Sequence, residues 1–256
     1  MSTTAAPETF LAALRNPTPE PPPEARPAWL WAVATTLHEQ LPKDTREVWA
    51  TRLHGVLGEG PDTSTLRTVH TWHADTILPL LSETAHDGDS TVFATLTDLH
   101  HEAAQGRTAD QDTWRTALTP VLLHLYDAAY DRTSAYTEAH TGARDYALAN
   151  GFSATEADGY GHEYARLSSD ANARACAEAH AEAVGRALAE AYATDGCEAY
   201  ADTCPDAQLR AAVRATTELT ELTEPGDPVP ATRLAEGLLA ALRAHGADRK
   251  PARSLA

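Results

Sequence analysis

Histidine, tyrosine and cysteine are spread unevenly along this 256-residue chain, and their spacing marks three places where chemistry is feasible. The densest runs from Tyr126 to Tyr200. Tyr136 and His140 are four apart, and Tyr160 and Tyr164 are four apart around His162 and Glu163, so on helices each such pair shares a face. Phenol, imidazole and carboxylate together supply proton donors and acceptors, which makes Tyr136, His140, His162, Glu163 and Tyr164 candidate catalytic residues. The same lining suits an aromatic or polyol ligand, with Tyr126 and Tyr130 as further ligand-binding residues. The competing reading is structural: tyrosines as spacers opposite alanines, where small residues let two helices come close.

The second place is the histidine set on apolar stripes. His70 and His73 are neighbours on one helix, His100 lies at the edge of the next stripe, and His124 with Asp127 comes from the helix after that. If these helices pack together, imidazoles and carboxylates converge on one cavity, with His73 and His124 binding a ligand there. Neutral imidazole ligates metals and serves as a general base, yet the spacing matches no H-E-x-x-H motif. The third is the thiol region. Cys176 and His180 share a helix face, and with Cys197 and Cys204 they form a tetrahedral Cys3His set for a metal if the chain doubles back. Buried cysteine acting as a small hydrophobe is the plainer alternative. No phosphate loop or nucleophile elbow is present, so no motif names a cofactor.

The elements that must position these groups are helices. From Asp170 to Thr194 alanine recurs at nearly every second position, but alanine is the best helix former and a strand of this length would be exceptional. The run therefore reads as one long helix that starts at a capping box, Ser153 with Glu156, after the stop at Asn150-Gly151. Before it, helical periodicity extends from Asp110 to about Asn150 with Pro120 as its one irregularity. Stripes such as Leu30, Val33, Ala34 and Leu37 mark further helices upstream. Leu234, Leu238, Leu239 and Leu242 mark a last amphipathic one. Short connections favour antiparallel neighbours. The expected fold is all-α, a multi-helix antiparallel bundle with a long central helical hairpin. Residues 1–26 read as a proline-rich arm, 27–222 as the bundle domain and 223–256 as a linker and C-terminal docking helix.

Composition narrows function by exclusion. Asp and Glu number 37 against 20 Lys and Arg, a net charge of −17, and the arginines are scattered singly. Such a surface repels nucleic acid and anionic membranes. No stretch approaches the ~20 apolar residues that span a bilayer, and three cysteines do not make a disulfide framework, so a soluble cytoplasmic protein is expected. With three Phe and one Met, the core must be filled by leucine, alanine, five Trp and eight Tyr. The expected function is binding of a small molecule or a protein partner, with homo-oligomer formation open. The alternative is an enzyme using His, Tyr and carboxylate acid–base chemistry, with or without metal, in a pocket between helices.

Overall fold

A computed structural model describes residues 7–17, 27–60, 63–85, 90–216 and 229–246. Of these residues 82% are helical, in eleven helices with no strand among them. In chain order they are α1 (Pro7–Arg15), α2 (Ala28–Gln40), α3 (Arg46–Gly58), and α4, which runs from Arg67–Trp72 through a π-helical segment, His73–Ile77, into Leu78–Ser82. Then come α5 (Ser90–Ala104), α6 (Gln111–Ala128), α7 (Arg132–Ala149), α8 (Ala154–Ala193), α9 (Cys197–Ala201), α10 (Pro205–Ala215) and α11 (Pro230–Gly246).

The helix of 40 residues, α8, is the axis of the fold. Ser153 and Glu156 cap it reciprocally, as their spacing predicts, and Gly151 at φ +87° turns the chain into it. Its alternating alanines resolve into two classes. Ala173, Ala177 and Ala181 are buried, while Ala171, Ala175 and Ala179 are exposed. With Ala157, Gly161, Ala165 and Ser169 the buried set recurs every fourth residue. Four residues turn a helix about 40° past a full circle, so this seam winds around α8 instead of running straight. Its first part faces α7, where Ala143 and Ala147 are buried. Its later part faces α6, where Gly185 lies against Leu122. A Cβ added at Gly161 would lie 2.9 Å from the His140 carbonyl oxygen and 3.1 Å from Arg144 Cβ. Glycine there permits the close approach of α7 and α8.

The segment from Asp110 to Asn150 departs from expectation. It passes Pro120 without a break and divides instead at Ala129–Asp131. Asp131 accepts from the Ser134 N–H at 3.0 Å as the cap of a new helix, and Arg132 donates back to the Asp127 carbonyl and carboxylate at 2.6 and 2.8 Å. Two helix ends are thereby satisfied locally, which an unbroken apolar stripe does not reveal.

The body around the lower half of α8 holds the core, with Trp29, Trp72, Trp114, Tyr192 and Tyr200 among its largest fully buried side chains. Part of the segment read as an arm belongs to it, since Phe10 and Leu14 of α1 are buried against α2 and α3. The C-terminal helix is equally central. Leu234, Leu238, Leu239 and Leu242 are fully buried, and the carbonyls of Ala235 and Leu234 accept from the indole N–H groups of Trp49 and Trp72, each at 3.0 Å. Gly237 is the tightest point of this contact: a Cβ there would meet Thr76 Cβ at 2.7 Å, inside the π-helical segment. No helix among the described residues is long and apolar enough to cross a membrane.

Candidate functional site

Helices α4, α5, α6, α8, α9 and α10 surround a cavity with about 50 Å³ open to the centres of water-sized molecules. One water needs about 10–15 Å³ by that measure, and adding back the water radius to a sphere of this size gives roughly 200 Å³, enough for one small ring. Most of the wall is aliphatic, including Leu96, Leu118, Leu122 and Leu188. Polar atoms come from His73, Tyr192, Tyr200 and Gln208. An apolar chamber with few polar groups is the common form of a small-molecule site.

Behind His73 and Tyr192 stands a packed set of rings. His70 Nδ1 and His100 Nδ1 are 2.9 Å apart, so one donates to the other. A neutral imidazole carries a single N–H, and both Nε2 atoms, one bearing hydrogen and one not, are buried without a hydrogen-bond partner among the described residues. Trp114 stacks on His70 with ring centroids 5.5 Å apart, and His73 stacks on His100 at 4.9 Å. Tyr192 lies edge-on to His70 and His100, its hydroxyl buried and also partnerless. Tyr200 Oη approaches His73 Nε2 at 3.4 Å.

Desolvation decides the protonation of this group. Burial lowers His70 to about 3, with His73 adding to the effect, and lowers His73 to about 4. His100 is pushed well below its ordinary value, by burial first and then by its histidine neighbours. All three are neutral near pH 7. Burial raises Tyr192 and Tyr200, so both remain phenols. The site therefore presents neutral donors and acceptors and no formal charge, which fits an uncharged ligand. The π-helical segment matters here, because it starts at His73 and sets the direction of that ring; such segments are frequent at functional sites.

The residues singled out by sequence are dispersed over the fold. His73 lines the cavity, and His70 and His100 converge with it. His124 does not: it shares a hydrogen bond with Thr84 Oγ1 at 2.8 Å and packs edge-on against Phe93. The proposed catalytic set lies on the α7–α8 hairpin. There Tyr136 hydrogen-bonds His162 and stacks on His140, and His140 Nε2 lies 3.5 Å from Asp158. Glu163 pairs with Arg166, and Tyr164, half exposed, stacks on Tyr160. Tyr126 packs on His180 with centroids 4.8 Å apart, and burial, followed by Cys204 and Cys176, raises its hydroxyl to about 12. Tyr130 sits in the break between α6 and α7.

The four metal candidates are not brought together. Cys176 Sγ is 3.5 Å from His180 Nδ1, whereas Cys197 bonds the Thr63 carbonyl and Cys204 is exposed at the start of α10. The chain turns at Gly196, but the turn directs Cys197 away from α8 toward Thr63. Among the described residues no group of three or more His, Cys, Asp or Glu is arranged to hold a metal ion.

No family model, curated protein or solved structure matches this chain. Sequence reasoning reached the histidine convergence but not its aromatic half. Trp114, Tyr192, Tyr200 and Gln208 come from four different helices, and no periodicity within one helix relates them. The signal available was chemical: a histidine centred on an apolar stripe needs a polar or aromatic neighbour from elsewhere.

Proposed function

We propose that this protein binds a small, uncharged, mostly apolar molecule, one ring in size with a single hydroxyl, carbonyl or ring N–H, in the cavity beside His73. The observation that carries the reading is an aliphatic chamber with few polar atoms, one of them the buried Tyr192 hydroxyl, which has no hydrogen-bond partner among the described residues. Leaving such a group unpaired costs about 1–3 kcal/mol, so a ligand that engages the Tyr192 hydroxyl gains more than hydrophobic contact alone. The Gln208 amide nitrogen donates to Thr203 at 2.8 and 3.1 Å, which leaves its Oε1 as an acceptor beside the His73–Tyr200 pair.

The test is calorimetry and thermal unfolding with phenol, indole, cyclohexanol and benzene. The reading expects saturable binding, with phenol or indole favoured over benzene by roughly tenfold, the worth of one hydrogen bond. Leu122→Trp, which fills the chamber, should abolish binding while the far-UV spectrum is retained. Equal, weak responses to all four compounds, unaffected by Leu122→Trp, would refute it.

A second reading, acid–base catalysis on the hairpin, draws support from the Tyr136–His162 hydrogen bond and the His140–Asp158 pair. It predicts a turnover lost in both His140→Gln and His162→Gln without loss of melting temperature. An unaltered rate in either variant removes that residue.

A further inference from the structure

The outer half of the α7–α8 hairpin carries an apolar surface that the cavity does not explain. Tyr160, Tyr164 and Leu167 are 43%, 50% and 56% exposed, and the rings of Phe152, Tyr160 and Tyr164 form a continuous row with centroids 6.2 and 6.4 Å apart. They share one side of the hairpin. On the other side His140 and Arg144 face Asp158, and Tyr136 reaches His162. Tyr146 is 63% exposed, and its spacing of two from Arg144 places it about 200° around α7, away from the Arg144 side. Along α8 the row continues through Ala171 and Ala175, so spacings of four, three, four and four keep it on one stripe, as in a coiled-coil seam.

We propose that a second copy of this chain docks on this stripe, with the two α8 helices antiparallel about a twofold axis near Leu167 and Ser168. Two features select a second copy. The stripe is uncharged at Tyr160, Tyr164, Leu167, Ala171 and Ala175 although the chain carries −17, and the exposed charges beside these positions balance, Glu163 and Asp170 against Arg166 and Arg174, so two copies meet there with less repulsion than the net charge would impose. Its bulk is also graded, rings toward the tip and alanines toward the body. A twofold axis reverses that order and sets Tyr160 against Ala175 and Tyr164 against Ala171 of the other copy, which is the self-complementarity an isologous interface requires. Within one copy this part of the hairpin buries little more than alanine, glycine and serine, a thin core for two long helices.

The stripe is ~22 Å long on a hairpin ~18 Å wide, or roughly 400 Å² per copy, which is below the usual range for permanent complexes and implies a concentration-dependent dimer. Sedimentation of the intact chain from about 1 to about 500 μM should therefore show monomer passing to dimer. Leu167→Glu, at an exposed site, should weaken association at least about tenfold while leaving the melting temperature unchanged. Leu167→Cys should form a symmetric disulfide-linked dimer under mild oxidation that the native chain does not form. A monomer throughout, a dimer indifferent to Leu167→Glu, or failure of Leu167→Cys to cross-link beyond the native chain would each overturn the proposal. The phenol-binding test is independent, because Leu167→Glu leaves the cavity intact.

Discussion

Three buried neutral histidines make the fold sensitive to mild acid, and the size of the effect can be worked out. In the unfolded chain each imidazole titrates near 6.5, whereas His70 and His73 are held at about 3 and about 4 in the folded protein and His100 is held well down. Folded values lie below unfolded ones, so between those limits the unfolded chain binds more protons and stability falls as pH is lowered. At pH 5 each group has taken about 1.5 pH units of this penalty, about 2 kcal/mol, and the three together about 6 kcal/mol. That figure depends on the unfolded value alone as long as the folded ones stay below 5. It is comparable to the whole stability of many domains. His38, less deeply buried and also lowered, adds a smaller share.

The histidine window separates from the carboxylates. Glu83 and Glu156 are held below their ordinary range by Arg233 and by the Ser153 hydroxyl, so their contribution is lost only as pH falls further. Urea unfolding at intervals from pH 7.5 to 5 should give a slope near pH 5.5 approaching three protons, about 4 kcal/mol per pH unit. His100→Gln should remove about one proton from that slope whatever it does to stability at pH 7.5. A slope below one proton, or one that His100→Gln leaves unchanged, would refute the assignment of these rings as buried and neutral.

Three further outcomes are expected. Gly237→Ala should destabilise by at least about 2 kcal/mol, because the added methyl meets Thr76 in a packed helix contact; denaturant midpoints check it. Trp72→Phe should cost about 1–3 kcal/mol by removing the indole bond to the Leu234 carbonyl and part of a fully buried ring, with the α11 amides losing hydrogen-exchange protection. Ser153→Ala should cost about 1 kcal/mol and raise exchange in the first turn of α8, leaving α6 and α11 protected.

The helices were legible because their signals are local. Alanine propensity and the Ser153–Glu156 box identify α8, and leucine periodicity identifies α11. The division at Ala129–Asp131 was not, since Asp131 also satisfies a helical pattern and its capping role appears only once Arg132 folds back on Asp127. The depth of α11 was hidden too: its four leucines suit a peripheral helix as well as a central one, and only the indole bonds of Trp49 and Trp72 distinguish them. At the site, His73 was recognisable by its place on an apolar stripe. His124 has the same credentials, and the difference between them is the partner each meets, Thr84 for His124 and the packed rings for His73. Spacing along one helix ranks faces; it does not report which neighbour a face meets.

The winding seam of α8 has a mechanical consequence. Leu188 and Tyr192, near one end of this helix, form part of the cavity wall, and Ala157 lies near the other. Forty residues of unbroken helix make a shaft ~60 Å long, so each degree of tilt about the cavity end carries the tip about 1 Å. The hairpin tip is thus a long lever arm rooted in the chamber wall, where small rotations become displacements as large as those that separate contact from clearance.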